Sequence, residues 1–493
     1  MADSNLLATL PAGIARPAYD RSRVRAGIAH LGVGNFHRSH QAFYLDRLLA
    51  DASQNGWGIL GIGIQDTHPE RDKALALQAQ DGLYTLTICP PDAAAETVLI
   101  GALVEYMHLP NDPEAVLRRL AEPAIRIVSL TITEGGYNLD EHGGFRLEQP
   151  DVAADLAAAG TGTAPRTVFG LVVEALHRRR TSDTGPFTVL SCDNLMHNGQ
   201  AARAAFVGFA RARDPGLADW IETEVSFPNS MVDGIAPFVS ADDAARLNDR
   251  SGAADRAPVF REDFTQWVLE DRFCAGRPPL EQVGAQFTDK VDPYELVKLR
   301  MLNAGHTVMA LPSILLGHQL VHEAMQDELV SRLVERYLSE DAAPHLTAPP
   351  GMATADYAAL LLRRFRNPNI RDQVSRIAGQ SSAKLPVFLR PTAEAVLASG
   401  GDHRRIAFIA AAFVEYLRGQ DDFGRSFPVA EPALTVPDLA LAARHDLTDF
   451  LRMSPFAGWS LERYPDFIAE VGRQRSAIRA QGTRAALQAL LQP

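Results

Sequence analysis

Residues 27–40 read GIAHLGVGNFHRSH. The apolar run ending at Leu31 has the composition of a buried strand, and Gly32-Val33-Gly34 closes it in a turn. Helical spacing follows: through HRSHQAFYLDRLLAD, the residues Phe43, Leu45, Leu48 and Leu49 fall near one face. A glycine turn between strand and helix lets the backbone approach a pyrophosphate, where unpaired N–H groups and the helix dipole favour an anion. Gly32, Val33, Gly34, Asn35, Phe36, His37 and Arg38 are therefore the candidate cofactor-binding run. The third glycine of the dinucleotide fingerprint is missing and His37 stands in its place, which leaves the pyrophosphate contacts open.

Working outward, WGILGIGI reads as a second strand, ended by Gln65-Asp66. In a dinucleotide fold this end lies beside the adenosine ribose, where a carboxylate accepts from the 2′-hydroxyl and repels a 2′-phosphate. Asp66 is the first candidate and Glu70 the second, so NAD is expected over NADP. LYTLTIC and TVLIGALVEYMHL read as further strands with a hairpin among them, and IRIVSLTIT as another, followed by Glu134-Gly135-Gly136. VFGLVVEALHRRR is a helix and FTVLSCDN returns to a strand. Near-continuous apolar strands alternating with helices predict an α/β, Rossmann-type domain with a parallel sheet covered on both faces.

From about Asp292 this texture ends. Alanine- and leucine-rich helical patterns such as AAFVEYLRG and RAALQALLQ dominate to the C-terminus. The expected division puts a nucleotide-binding domain at 1–288 and a mainly α-helical substrate and catalytic domain at 289–493. A chain of 493 residues, 46% hydrophobic and 22% charged, has the composition of a multidomain globular protein. Its formal charge of -12 argues against nucleic acid and anionic membranes as partners. Cys89, Cys192 and Cys274 form no C-x-x-C pair, so neither a thiolate metal site nor a disulfide framework is indicated, and a reducing cytoplasm fits. The N-terminus lacks the pattern of a signal peptide, and no unbroken apolar stretch is long enough to span a bilayer.

The segment Pro293–His306, PYELVKLRMLNAGH, sets polar groups in apolar surroundings. With Asp292 as N-cap and Pro293 opening the helix, Pro312 is expected to end or kink it. At roughly 100° per residue, with Glu295 at zero, Lys298 falls near about -60°, Asn303 near about +80° and His306 near about +20°. These four share one arc, while Val297, Met301, Ala304 and Val308 occupy the rest, with Arg300 the one polar exception. A single histidine and no H-E-x-x-H argue against a metal here, and proton transfer by the lysine is the better chemical reading. A free lysine titrates near about 10.4, so it serves as a base only where burial or a neighbouring positive charge lowers that value.

GIAHLGVGNFHRSHQAFYLD, IVSLTITEGGY, TVLSCDNLMHNG, SFPNSMVDGI and the K-x-x-x-x-N-x-x-H of Lys298–His306 together resemble the polyol-specific long-chain dehydrogenase/reductase family. The resemblance runs from about Gly27 to beyond Lys384. It implies a nucleotide-binding domain and a helical domain with the active site in the cleft between them. The implied activity is metal-independent, NAD-dependent oxidation of a polyol at C2, of the mannitol-to-fructose type, and the reverse ketose reduction. Arabinitol or sorbitol oxidation, hexuronate reduction within the same superfamily and a non-catalytic NAD sensor are the alternatives. Lys298 matches the family's catalytic lysine, Asn194 and Asn303 the amides that hold the developing oxyanion, and His306 a residue orienting substrate. Glu295 matches a carboxylate linked to proton passage, and Asp233, Arg376 and Lys384 match polar groups lining the substrate cleft. A monomer is implied, and the role of Glu134 stays open.

Overall fold

The structure is a computed structural model that describes residues 6–140 and 142–492. The chain divides into two compact units, Met1–Asp292 and Pro293–Pro493. In the first, the strands are β1 (Ala26–Leu31), β2 (Gly58–Gly63), β3 (Tyr84–Cys89), β4 (Glu96–Ile100), β5 (Leu103–His108), β6 (Ile127–Leu130) and β7 (Thr188–Ser191). Four shorter or later ones follow: β8 (Ser230–Asp233), β9 (Val259–Glu262), β10 (Gln266–Glu270) and β11 (Gln286–Thr288). Five of them form one sheet in the order β5-β2-β1-β6-β7, every pairing parallel. Taken in chain order this is the 3-2-1-4-5 arrangement of a doubly wound fold, whose strand order reverses between β1 and β6. Ligands of such sheets bind outside the carboxyl ends of the strands at that reversal, where Gly32 and Thr131 meet here.

The strands form because they are buried on both faces. All six residues of β1, all six of β2 and all four of β6 and β7 are buried. The helix Val168–Thr181 covers one face with Leu171, Val172, Val173 and Leu176, each fully buried. Burial of each such side chain is worth about 1.5–3 kcal/mol. Thr167 caps its N-terminus by accepting from the Gly170 N–H at 3.0 Å, and Arg178, Arg179 and Arg180 sit in its last turn, where the dipole favours cations. The hairpin expected from LYTLTIC and TVLIGALVEYMHL is β3–β4, antiparallel. The second half of that run, β5, leaves the hairpin and pairs with β2 in the parallel sheet.

The second unit is helical, and among the described residues no named strand follows β11. Its core gathers Val308, Met309, Leu311, Leu333, Tyr337, Phe365, Leu385 and the helix Arg404–Tyr416, whose residues from Arg405 onward are all buried. Charges inside it are paired: Arg405 donates to Asp341 at 2.8 and 2.6 Å, and Arg475 to Glu415 at 2.9 Å. No helix among the described residues is long and apolar enough to cross a membrane.

Candidate active site

Gly32 turns the chain at the end of β1 with φ +96°, and a Cβ there would run into the Thr131 carbonyl oxygen. Both facts demand glycine. The turn is fixed by Gly32 N–H to Ile62 O at 3.0 Å and Thr131 Oγ1 to Gly32 O at 2.6 Å, so β1, β2 and β6 all hold it. The helix that follows, Asn35–Ser39, is one turn long; the chain bends at His40 before resuming at Gln41–Leu48. His37, in place of the third glycine, explains the difference from the single helix expected. Its ring lies flat on His30 of β1, centroids 3.5 Å apart and 9° between planes, filling the space that close helix–strand packing would occupy. Burial pushes His30 down to about 3 and, helped by the neighbouring cation of Arg38, keeps His37 well below an ordinary imidazole. The pair is neutral beneath the turn.

Of the residues assigned to the cofactor from sequence, Gly34, Asn35, Arg38 and Glu70 line one open cavity of about 750 Å³. Val33 and His37 are buried behind it at 1% exposure each. Phe36 stacks on His40 at 4.9 Å. Lys73, Phe238 and Arg256, not singled out from sequence, also line it, and Asn35 donates to Pro237 O at 3.1 Å to hold the opposite wall. Arg38 donates to Ala257 O at 2.5 Å and to Asn35 Oδ1 at 2.8 Å. The two acids proposed for the ribose separate here. Glu70 faces the cavity and accepts from Lys73 at 2.7 Å, whereas Asp66 lies exposed and bound to Arg71 at 2.6 and 2.7 Å. Burial lowers the Lys73 ammonium, and Glu70 partly restores it.

Asn194 follows β7 on the same carboxyl edge of the sheet. The residue before it is its anchor. Asp193 accepts from the Ile132 N–H at 3.0 Å, the Thr133 N–H at 2.8 Å and the Tyr137 hydroxyl at 2.7 Å. This carboxylate ties the loop after β6 to the loop after β7, and Thr133 is held at φ +69° between them. Asp193 and Tyr137 were visible in SCDN and TEGGY but had no assigned role. Asp233 closes β8 at 1% exposure. The side chain of Glu134 lies outside what the structure describes.

In the second unit the lysine segment is helical but not uniformly α. Asp292–Val297 is α, Lys298–Asn303 is a π turn, and Ala304–Leu315 is α again. Constant α spacing would set Lys298 and Asn303 about 140° apart; the wider i→i+5 turn reduces that angle. The polar strip is thus narrower than the sequence arc. Pro312 sits inside the last turn without ending the helix, which forfeits the one bond its missing N–H would have made. Lys298 is 8% exposed and Glu295 4%. Arg300 turns away, donating to Thr392 Oγ1 at 3.0 Å and His345 O at 2.9 Å, so it does not share the strip. The His306 ring stacks on Phe365 with centroids 4.1 Å apart and 20° between planes. It keeps part of its edge open, yet burial holds its pKa down to about 3, against the pull of Asp372.

Four charged groups act on His306: Asp372, Arg376, Arg364 and Lys384. Two of them, Arg376 and Lys384, are the sequence candidates for substrate binding. Lys384 donates to Ile377 O at 2.8 Å and Gly379 O at 2.6 Å. Arg376 is paired through both Nε and Nη2 with Asp372, which sits 6% exposed four residues earlier, just ahead of the helix Val374–Ala378. Burial acts against that guanidinium's charge, but the paired carboxylate outweighs it and raises the pKa. Asp372 was missed from sequence, although its i,i+4 spacing to Arg376 was the available signal.

A doubly wound parallel sheet with an open cavity at its glycine turn, followed by an all-helical unit carrying a buried lysine, has the architecture of two-part Rossmann-type enzymes. Residues 26–282 match the mannitol dehydrogenase Rossmann domain and residues 290–479 the mannitol dehydrogenase C-terminal domain. The chain belongs to the mannitol dehydrogenase family. It is similar to the Polyol:NADP oxidoreductase of Gluconobacter oxydans (strain 621H), 46% identical over 484 residues, 98% of this chain and 99% of that one. A crystal structure of D-sorbitol dehydrogenase in substrate-free form superposes with a TM-score of 0.90 at 44% identity, over 98% of this chain and 99% of that chain. The Pseudomonas fluorescens mannitol 2-dehydrogenase ternary complex with NAD and D-mannitol gives a TM-score of 0.89 at 38% identity, over 99% of each chain.

Proposed function

We propose that the chain is an NAD-dependent, metal-independent polyol dehydrogenase that oxidises a secondary alcohol of the mannitol type to a ketose and runs the reverse reduction. The observation that supports this is the burial of Lys298, 8% exposed, within a π turn that also carries Asn303. The nicotinamide supplies the hydride acceptor. Lys298 takes the hydroxyl proton as the hydride leaves C2, and returns it when a ketose is reduced. Asn303 and Asn194 donate their amide N–H groups to the oxygen as it gains negative charge; one such donor is worth about 3 kcal/mol in the barrier. His306, neutral through the working pH range, serves as a hydrogen-bonding group that orients the substrate and carries no charge. Glu295 links the amine to solvent protons, and Asp233, Arg376 and Lys384 hold the remaining hydroxyls.

Asp66 and Glu70 support NAD, because a 2′-phosphate beside either meets a carboxylate. Each acid has a cation within ion-pair distance, Arg71 and Lys73, so the preference is set by pairs of opposite charge and is open to change by single substitutions. The name of the Gluconobacter relative specifies NADP, which makes the cofactor the first measurement to take. The protein acts as a cytoplasmic monomer in this reading.

The test is NAD(H)- and NADP(H)-linked turnover with mannitol, arabinitol and sorbitol, and with fructose, xylulose and fructuronate in reverse. Polyol oxidation is expected, and Lys298→Ala should lower kcat by about 10²–10⁴-fold with the fold intact. Turnover confined to the keto-acid, or a Lys298→Ala enzyme near wild-type kcat, overturns the reading.

A further inference from the structure

We propose that Asp372 is the residue that sets this site for uncharged sugars, by neutralising Arg376. The inference deepens the polyol reading and rests on it. A free guanidinium beside a sugar site is a ready carboxylate receptor, because its planar donors match two carboxylate oxygens at once. Arg376 does not offer that. Its Nε and Nη2 are already spent on the two oxygens of Asp372, leaving the outer edge with Nη1 to meet further oxygens.

Asp372 is rigidly placed for this task. Its backbone carbonyl accepts from the Val321 N–H at 2.9 Å, and the adjoining residues bridge Leu320 to Gln373. The carboxylate is 6% exposed, while the arginine it holds is 55% exposed and reaches toward open space. The buried acid therefore fixes the exposed cation, and both lie within the group of charges that acts on His306. A hydroxyl approaching the remaining guanidinium edge finds a donor whose charge is balanced. A carboxylate approaching the same edge finds that charge already cancelled and a second carboxylate one guanidinium width away, which at partial burial is repulsive. Lys384, turned onto two backbone carbonyls, and Arg364, 2% exposed, complete the cations of the group.

The experiment compares fructose with fructuronate, a keto-acid of the same carbon count that carries a carboxylate in place of a terminal hydroxymethyl group. Asp372→Asn keeps the shape and removes the charge. The ratio of kcat/KM for fructuronate to that for fructose should rise at least about tenfold, and Arg376→Leu added to Asp372→Asn should erase the gain. An unmoved ratio in a folded Asp372→Asn enzyme overturns the proposal. An independent arm leaves the protein unaltered: gluconate inhibition of wild-type fructose reduction is compared at low and at high salt. A change within about twofold is expected, because the guanidinium is already neutralised, and a weakening of about tenfold or more as salt rises would reveal an uncompensated cation and overturns the proposal. Wild-type turnover separates the two claims. If the wild type reduces only the keto-acid, the polyol reading fails; if it turns over polyols and the ratio does not move, only the role of Asp372 fails.

Discussion

His306 offers the sharpest quantitative test, because its depressed pKa separates two roles that kinetics often confuse. With a value of about 3, the imidazole at neutral pH is protonated in about one molecule in 10⁴. Charging it where it stands costs at most about 5 kcal/mol more than in water, less whatever its open edge recovers. It therefore contributes a hydrogen bond and no titration. His306→Asn keeps an N–H donor and removes the ring. The expected outcome is a loss in kcat/KM of about tenfold to hundredfold, with the acidic limb of the pH profile left where it was. Stability adds a second readout. Because the folded imidazole binds a proton only below about 3 and the unfolded one below about 6.5, the unfolded state takes up protons first as pH falls. Wild-type stability should thus drop by at most about 2 kcal/mol more than that of His306→Asn between about pH 8 and about pH 5, measured by urea unfolding. Disappearance of the acidic limb in His306→Asn, or equal pH slopes of stability, would refute the reasoning.

Asp66→Ala removes a carboxylate from the end of β2 and releases Arg71, so the ratio of kcat/KM for NADP to that for NAD should rise by about tenfold, corresponding to about 1.4 kcal/mol, and less at high salt because both groups are half exposed. Steady-state kinetics with both cofactors checks it, and a ratio unchanged by the substitution would move the ribose contact to Glu70. Gly32→Ala drives a methyl group into the Thr131 carbonyl at a positive φ, so cofactor binding measured by NADH fluorescence should be lost, even in preparations whose helical circular dichroism is retained. Arg405→Met strands the buried Asp341 carboxylate, which burial already pushes up to about 6, and should lower unfolding stability by about 3–5 kcal/mol. A loss below about 1 kcal/mol in the same urea titration would show the pair to be dispensable.

Much of the first unit was legible because its signals are local. A buried strand, a glycine turn and a helix start are written within GIAHLGVGNFHRSH, and apolar runs marked β1, β2, β6 and β7 without reference to partners. What went unread was long-range. β9 was not foreseen because its pairing partner, β3, lies far away in the chain, with Leu86 opposite Val259. The break at His40 came from His37 stacking on His30, a contact that helical periodicity does not encode.

The residue types of the candidate site, and the strip of Glu295, Lys298, Asn303 and His306, were determined by sequence alone, because burying such groups along an otherwise apolar helix is costly unless they serve chemistry. Tertiary structure decided how they are presented. A π turn is a departure from regular helix that periodicity does not announce, so the spacing of Lys298 and Asn303 along the helix became visible only in the folded unit. The same holds for charge: the sequence shows Arg376 as a cation, and the fold, by burying Asp372 against it, makes it part of a neutral pair. Spacing fixes which side chains can meet; burial and partner choice fix what charge they carry when they do.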